Sequence, residues 1–228
     1  RNSVGKHMAV NFTTQQIREC IHAVETTKWR DVPIYSVTTG TCETDAQFIE
    51  EIIRPLEVMK KAMNHPTKIH LLTHPPRSKE LLYRLKEAGV TTIAFNLEVY
   101  DRKKMEQICP GKYNCYGYDR WWNALEDARS VWGDWKVFCG LVWGLENKES
   151  TIRGNEEIAA HKISVASNVF HADPMSQLKN HKHLPPNDIY EIAEHLQELY
   201  RKYPDMNTIF NVSMRSTIDW EIKQGFLQ

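Results

Sequence analysis

Amphipathic helical stretches and short apolar strands alternate along most of the chain, and this alternation limits the folds open to it more than any other feature. Ile17, Cys20, Ile21 and Val24 recur at the i, i+3, i+4, i+7 spacing of one helix face, and the strand-like run 32–39 follows them. The helix–strand unit recurs about six times. Because strands joined by crossover helices pair in parallel, the sequence predicts a parallel sheet with outer helices.

The predicted strands have two unlike faces, which helps to choose between two parallel folds. In an open doubly wound sheet helices cover both faces, so the strands are apolar throughout. Here several strands carry small or polar residues at alternate positions: Ser36 and Thr38; Thr92, Ala94, Asn96 and Glu98; Ser164, Ala166 and Asn168; Asn211, Ser213 and Arg215. These rows favour a (β/α) barrel, complete or partial, over the open sheet. The predicted fold class is therefore α/β, with one barrel domain over residues 1–228.

Three local features carry predictions of their own. Pro55 is expected to bend or divide a helix over residues 44–63. Residues 109–117 contain Pro110, Gly111 and Gly117 and are predicted to form a loop. Residues 208–213 are predicted to form the last strand.

Charge and composition argue against several classes of function. Lys plus Arg and Asp plus Glu both number 29, so the formal net charge is zero and no basic stripe favours nucleic acid. No apolar run approaches the roughly 18 residues of a membrane span, so no membrane partner is expected. The five cysteines are an odd number without a visible secretory signal, which favours reduced thiols and a cytoplasmic location.

Residues 91–99 form the predicted strand that carries the most chemistry. Its apolar residues alternate with small or polar ones, and Asn96 and Glu98 come at its carboxyl end, where α/β folds place ligands. A carboxylate accepts both hydroxyl protons of a diol, and a neighbouring carboxamide adjusts to either role. The pair is therefore a candidate diol site. The alternative interpretation is a structural polar pair that closes a strand end.

Parallel strands gather their carboxyl ends at one edge, and the sequence supplies polar residues at most of these ends. Those expected there are Thr38, Thr39, Gly40, His74, Asn96, Glu98, Gly144, Glu146, His171, Asp173 and Arg215. The Cys109/Cys115 and His181/His183 pairs do not have a recognised zinc or iron–sulfur spacing. No phosphate-binding glycine loop or serine nucleophile elbow is present. The sequence therefore predicts no metal ligands within the chain.

The segment LLYRLKEAGVTTIAFNLEVYDRKKMEQICPGK, residues 81–112, resembles the biotin-synthase-like branch of the radical S-adenosylmethionine superfamily. The likeness continues in LEDARSVWG at 125–133 and GLVWGLENKEST at 140–151, and it extends from about residue 34 to about residue 203. The resemblance implies a barrel enzyme that binds S-adenosylmethionine and a [4Fe-4S] cluster. It further implies that the enzyme generates a 5'-deoxyadenosyl radical, which abstracts a hydrogen from the substrate.

The resemblance also implies roles for residues at the first and third strand ends. Thr38, Thr39 and Gly40 stand where the family's glycine-rich turn meets the methionine amino group. This chain has Thr-Gly-Thr-Cys-Glu there in place of the usual Gly-Gly-Glu. Asn96 and Glu98 stand where relatives hold the ribose hydroxyls or the methionine moiety.

The later strand ends receive roles in the same way. Residues 140–146 match the pattern GxIxGxxE, which flanks adenine in the family, so the resemblance implies that Val142, Gly144 and Glu146 bind the cofactor. Substrate contacts are expected from His171, Asp173 and Arg215.

One departure from the family bears on activity. The family holds its cluster with a CxxxCxxC motif just after the first strand, and this sequence has no such motif. The stretch RNSVGKHMAVNFTTQQIREC looks like the one that follows the motif, so the cluster ligands are expected upstream of Arg1. The alternative is a degenerate relative that never binds a cluster.

Three functional hypotheses follow. The first is a radical S-adenosylmethionine enzyme that acts on a small-molecule or peptide substrate with an electron donor such as flavodoxin or ferredoxin. The second is a non-catalytic barrel relic that serves as a binding or scaffold protein. The third is an ordinary (β/α)-barrel lyase or aldolase, which is weaker because Lys68 and Lys136 lie near strand starts rather than at strand ends.

Overall fold

The computed structural model describes residues 12–27, 33–65, 67–206 and 217–225. These residues fall into two compact units, named here by their strands. The β1–β3 unit contains the described residues of Ala9–Phe95 and Ala124–Val137, and the β4–β5 unit contains those of Asn96–Asn123 and Phe138–Gln228. No helix in the described ranges is both long enough and apolar enough to cross a membrane.

Three parallel strands form the sheet of the β1–β3 unit. They are β1 (Ile34–Thr38), β2 (Lys68–Leu72) and β3 (Val90–Ala94), and β2 pairs with both of the others. Helices occupy the connections, as the predicted rhythm requires. They are α1 (Thr14–Glu25) before β1, α2 (Asp45–Phe48) and α3 (Arg54–Ala62) between β1 and β2, and α4 (Glu80–Glu87) between β2 and β3.

The β4–β5 unit has the same local organisation. β4 (Val137–Trp143) and β5 (Ser164–Val169) pair in parallel, with Val142 opposite Asn168. The remaining helices are α5 (Arg102–Ile108), α6 (Pro110–Tyr116), α7 (Tyr118–Trp132), α8 (Lys148–Ala160), α9 (Pro186–Lys202) and α10 (Thr217–Gln224), of which α7 divides its residues between the two units.

Side-chain caps fix where several helices begin. Thr13 and Gln16 form a reciprocal capping box at the start of α1. Asp101 caps α5 by accepting from the N–H of Lys104, and Asn147 caps α8 by accepting from the N–H of Ser150. These two caps follow shortly after Glu98 and Glu146 respectively. They therefore set the direction in which the chain leaves the candidate site residues.

The strands supply much of the core, and part of the predicted polar row lies inside it. Leu71 and Ile93 are fully buried, and Thr92, a member of the polar row, is also buried, with 8% of its surface exposed. The Thr92 hydroxyl lies 2.8 Å from Nδ1 of His70. Burial lowers the pKa of His70 to about 4, so this histidine is neutral at physiological pH. At this position the polar side chain of the row is therefore hydrogen-bonded in the interior and does not line an open surface.

Two predicted boundaries are wrong. The strand predicted over residues 91–99 ends at Ala94, so Asn96 and Glu98 follow the strand instead of alternating along it. The reason is the backbone of Glu98, whose φ of 70° is incompatible with a strand and leaves only an isolated bridge to Leu141. The loop predicted over residues 109–117 is the helix α6, because Pro110 occupies its first turn, where proline favours a helix.

The predicted division of the second long helix is confirmed in a more specific form. A π-helical turn, Ile49–Ile53, separates α2 from α3, and Pro55 follows it in the first turn of α3. Proline removes one backbone donor and clashes with the preceding turn, which a wider π turn accommodates. The predicted strand 208–213 and the predicted site residue Arg215 lie outside the described residues.

Gly154 on α8 gives a test of this packing. A Cβ at Gly154 would lie 2.7 Å from Cδ1 of Leu141 and 2.7 Å from Cβ of Tyr100. We expect Gly154→Ala to lower the free energy of unfolding by about 1–3 kcal/mol, because overpacking forces its neighbours to move. Urea titration measures this change.

Gly111→Ala is the matched control, since Gly111 also lies in a helix but nothing is within 4 Å of its added Cβ. It should be neutral or stabilising by up to about 1 kcal/mol. Equal unfolding midpoints for Gly154→Ala and the wild type would contradict the close contact between α8 and β4.

Candidate functional site

The segment after β3 lies against β4 through backbone hydrogen bonds within the β4–β5 unit. The N–H of Glu98 donates to the carbonyl of Gly140 at 2.9 Å, and the N–H of Val142 donates to the carbonyl of Glu98 at 2.9 Å. Leu97 is fully buried, whereas Asn96 and Glu98 are half-buried. The segment therefore keeps its polar side chains accessible while its apolar ones pack.

Asn96 and Gly140 fit together in a way that requires glycine. Oδ1 of Asn96 accepts a hydrogen bond from the N–H of Gly140 at 3.0 Å. A Cβ at position 140 would lie 2.8 Å from Oδ1 of Asn96, closer than packed atoms allow. The carboxamide oxygen is thus committed to the backbone, and the carboxamide NH₂ remains as a donor.

Glu98 adopts an unusual backbone conformation that its neighbours maintain. Its positive φ of 70° costs a non-glycine residue on the order of 1–3 kcal/mol. Oε1 of Glu98 lies 2.7 Å from Nζ of Lys112, and the same ammonium donates to the carbonyl of Asn96 at 2.7 Å. Nζ of Lys112 also lies 4.8 Å from the centre of the Trp121 ring. Strain held in place by several independent contacts is typical of a ligand site.

Lys112 is the residue of the candidate site that the sequence did not predict. Its side chain is 18% exposed and that of Glu98 is 27% exposed, so the ion pair is shielded from water but still open to a ligand. Lys112 lies in the stretch that was predicted to be a loop. No helical or strand periodicity links residue 112 to residue 98, and only the fold of α6 brings them together.

Two thiols are affected by the charges of this ion pair, and both are held in the protonated form. Burial raises the pKa of Cys109, while Lys112 lowers it in smaller part. Burial raises the pKa of Cys139 to about 12. Cys139 is fully buried and packs in the core, whereas Cys109 is half-buried. A protonated thiol is a poor nucleophile.

Glu146 faces the protein interior. It is 6% exposed, and its two carboxylate oxygens accept from the N–H groups of Tyr100 at 2.9 Å and Asp101 at 2.7 Å. Burial raises the pKa of Glu146, and the two backbone donors lower it in smaller part. Glu146 therefore positions residues 100 and 101, and its predicted contact with the cofactor stays a prediction.

Gly144 directly follows β4 and has a φ of 108°, a conformation that favours glycine. A Cβ there would lie 3.3 Å from Cβ of Phe170. Nε2 of His181 lies 2.7 Å from the carbonyl oxygen of Gly144, so this nitrogen donates to it. Val142, which was predicted to act with Gly144, is half-buried. The loop before α9 is thus fastened to the end of β4.

His171 and Asp173 lie on the exposed loop after β5. Oδ1 of Asp173 accepts from the N–H of Met175 at 2.8 Å, which shapes a local turn. The predicted substrate contacts of both residues stay predictions.

Thr38, Thr39 and Gly40 lie at the end of β1, in the β1–β3 unit. The hydroxyl of Thr39 donates to that of Thr73 at 2.7 Å. Gly40 has no atom within 4 Å of an added Cβ, so no packing constraint requires glycine there. Thr38 is exposed. The loop after β1 is therefore joined to the end of β2 and has open space beside Gly40.

Sequence comparison finds similar curated proteins. The chain is 26% identical over 167 residues to bacteriochlorophyllide c C-7(1)-hydroxylase of Chlorobaculum limnaeum, and the aligned region covers 70% of this chain and 40% of that protein. It is 30% identical over 143 residues to biotin synthase of Fusobacterium nucleatum subsp. nucleatum, and this aligned region covers 61% of this chain and 38% of that protein. The chain thus spans about two fifths of the length of these curated relatives. No protein-family model matches the chain.

Solved structures share the fold. Methylornithine synthase PylB has a TM-score of 0.68 at 16% identity and covers 93% of this chain and 60% of its own. The [FeFe]-hydrogenase maturase HydG has a TM-score of 0.65 at 14% identity and covers 86% of this chain and 44% of its own. Coproporphyrinogen III oxidase HemN of Escherichia coli, described as a radical SAM enzyme, has a TM-score of 0.59 at 14% identity and covers 82% of this chain and 44% of its own.

These likenesses confirm the predicted fold class, an α/β fold of the (β/α)-barrel kind with parallel strands and outer helices. Together with the sequence relatives, they confirm the resemblance to the radical S-adenosylmethionine superfamily, and biotin synthase is among the relatives found.

The burial of Glu146 generates a prediction about stability and pH. Glu146→Gln should lower the free energy of unfolding by about 1–3 kcal/mol at pH 7, because a carboxamide can accept from only one of the two backbone N–H groups. Glu149→Gln is the matched control, since Glu149 is an exposed residue on α8, and it should change little.

The pH dependence has a definite sign. Because the folded-state pKa of Glu146 is raised above its ordinary value of 4.5, the folded wild type holds this proton more tightly than the unfolded chain does. The wild type therefore gains stability relative to Glu146→Gln as the pH falls through the folded pKa towards 4.5. Urea titrations at several pH values measure the difference, and a deficit that shrinks towards acid pH would contradict a raised pKa.

Proposed function

We propose that this chain is the cofactor-binding barrel portion of a radical S-adenosylmethionine enzyme. The observation that carries the proposal is the Asn96–Glu98 segment, which the structure holds in a strained and accessible conformation against β4. Its sequence lies within the stretch that resembles the superfamily. The chain spans about two fifths of its curated relatives, so the proposal concerns a longer protein that contains it.

The polar groups of this segment suit the ribose of S-adenosylmethionine. Oε1 of Glu98 is paired with Lys112, so Oε2 can accept a hydroxyl proton from a ligand. The NH₂ of Asn96 can donate to the oxygen of a neighbouring hydroxyl, because the carboxamide oxygen is bound to Gly140. One acceptor beside one donor matches a vicinal diol. The residues present therefore fit the group that the superfamily binds.

The other predicted ligands have narrower roles in this proposal. Val142 and Gly144 would contact adenine, with Gly144 held by His181. The carbonyl of Gly40, beside Thr38 and Thr39, would accept from the methionine ammonium group. Glu146 would act indirectly, through the backbone at Tyr100 and Asp101.

The chemistry itself would come from the cofactors. When bound and reduced, a [4Fe-4S] cluster with S-adenosylmethionine supplies a 5'-deoxyadenosyl radical that takes a hydrogen from substrate. Among the described residues, no group of three or more His, Cys, Asp or Glu side chains could hold a metal ion.

The proposal includes a setting and partners. His171 and Asp173, with Arg215, would contact a small-molecule or peptide substrate, and a flavodoxin or ferredoxin would supply the electron. All five cysteines are free thiols, which supports a reducing cytoplasmic location.

Reconstitution of the full-length gene product with iron and sulfide under anaerobic conditions tests this function. We expect a brown chromophore near roughly 400 nm, from thiolate–iron charge transfer. Addition of reductant and S-adenosylmethionine should then yield 5'-deoxyadenosine, detected by chromatography. The absence of both the chromophore and 5'-deoxyadenosine would refute the enzyme hypothesis. Binding of S-adenosylmethionine without formation of a cluster would favour the relic that acts as a binding protein.

Glu98→Ala tests the proposed diol site. We expect it to weaken S-adenosylmethionine binding to the full-length protein at least about 100-fold, because it removes a charge-assisted hydrogen bond and releases Lys112. Titration calorimetry measures the affinity. Glu106→Ala is the control, since it also removes a glutamate carboxylate, but from an exposed position on α5 outside the Asn96–Glu98 segment. This variant should bind S-adenosylmethionine as the wild type does. An unchanged affinity in Glu98→Ala would show that the ribose site lies elsewhere.

A further inference from the structure

Lys112 is bound to the Asn96–Glu98 segment at two points. Its Nζ donates to the carbonyl oxygen of Asn96 at 2.7 Å and to Oε1 of Glu98 at 2.7 Å. An ammonium group has donors only, and a backbone carbonyl or a carboxylate oxygen can only accept, so each bond has one possible direction. One side chain therefore holds both the backbone of Asn96 and the carboxylate of Glu98.

Helix α6 and the ring of Trp121 keep the Lys112 side chain in place. Lys112 and Tyr116 are four residues apart on α6, so they share one face of that helix. Both contact the buried Trp121. Nζ of Lys112 lies 4.8 Å over the centre of its ring, and the Tyr116 ring meets it edge to face, with 5.5 Å between the ring centres. The ammonium group is thus positioned by the protein and needs no ligand to order it.

These contacts limit what Lys112 can offer to a ligand directly. An ammonium group has three N–H donors, of which Lys112 gives two to Asn96 and Glu98, and the ring of Trp121 covers another side of the group. The side chain of Lys112 is 18% exposed and that of Glu98 is 27% exposed, so the carboxylate is the more open of the two groups.

The ion pair also orders the carboxylate. A glutamate side chain without a partner rotates about several bonds, and a ligand would have to order it at a cost in affinity. Because Lys112 holds Oε1, Oε2 remains as one acceptor in a fixed place, beside the NH₂ donor of Asn96. That fixed pair suits two neighbouring hydroxyls and offers nothing specific to a sugar that lacks them.

We propose that Lys112 is a positioning residue that gives the diol site its preference for ribose over sugars without the two hydroxyls. It acts through Asn96 and Glu98 and does not touch the ligand. The inference rests on the proposed function, which places the ribose of S-adenosylmethionine at this segment. It assigns the specificity of the site to a residue of α6, and all the residues that it uses lie in the β4–β5 unit.

The test compares two nucleosides by titration calorimetry on the full-length protein. Adenosine carries both ribose hydroxyls, and 2',3'-dideoxyadenosine lacks them. Each consists only of adenine and a sugar, and the proposed contacts of both parts lie in the β4–β5 unit. We expect the wild type to bind adenosine at least about tenfold more tightly, which is the value of one or two hydrogen bonds.

Lys112→Met keeps a long side chain but removes its charge and its donors. The affinity for adenosine should fall about fivefold to tenfold, because the carboxylate of Glu98 loses the partner that orders it. The affinity for 2',3'-dideoxyadenosine should stay within about twofold of the wild type, since this ligand makes no bond to the carboxylate. A role that is only structural would weaken both nucleosides alike.

Further variants separate positioning from direct contact and from general damage. Lys103→Met removes the same charge from an exposed position on α5 and should leave both affinities as they are in the wild type. If Lys112 acts through Glu98, the loss of adenosine affinity in the combined Glu98→Ala and Lys112→Met variant is smaller than the product of the two single losses. If thermal unfolding shows that Lys112→Met does not fold, Lys112→Gln replaces it and carries the same prediction.

Each outcome bears on one of the two proposals. A selective loss of adenosine affinity in Lys112→Met, with single losses that do not multiply in the combined variant, supports the inference. Unchanged or tighter adenosine binding in Lys112→Met, an equal loss for both nucleosides, or single losses that multiply each overturns it. A wild-type protein that binds the two nucleosides equally, or binds neither, overturns the proposed diol site instead.

Discussion

The contact between Asn96 and Gly140 is the constraint on which the rest of the β4–β5 site depends. Because residue 140 has no Cβ, the carboxamide of Asn96 can dock on the backbone of β4 and accept its N–H at 3.0 Å. That docking sets which residues of β4 the next segment meets, so that Glu98 exchanges hydrogen bonds with Gly140 and Val142. A larger residue at position 140 would displace Asn96 and, with it, the backbone of Glu98.

The ion pair of Glu98 and Lys112 follows from that placement. A partly buried carboxylate without a partner would lose hydration and gain little in return. Lys112 offsets this cost through one oxygen only, and its ammonium is itself shared with the carbonyl of Asn96 and the face of Trp121. The carboxylate is thus held still before any ligand arrives. Binding then requires less ordering of the site, which is how preorganisation raises affinity.

The sequence predicted the repeated helix–strand order, the parallel pairing and the fold class, because these depend on hydrophobic periodicity that is local and redundant. It also located Asn96 and Glu98 near a strand end. It could not predict the positive φ of Glu98, since that conformation is maintained by contacts with β4 and Lys112 that are remote in sequence. Pro110 and Gly111 read as helix breakers, although proline in a first helical turn is favourable, and so α6 and Lys112 were missed.

Side-chain direction was the other limit on prediction from the sequence. The GxxE pattern located Glu146 at a strand end, but nothing in the pattern shows that both its oxygens bind backbone N–H groups. In the same way, the sequence located Asn96 but could not show that its oxygen accepts from the N–H of Gly140. The protein thus fills both oxygens of Glu146 and only one polar group of Asn96. What each side chain can still offer to a ligand is decided by contacts between residues more than 40 positions apart, which a local sequence pattern does not contain.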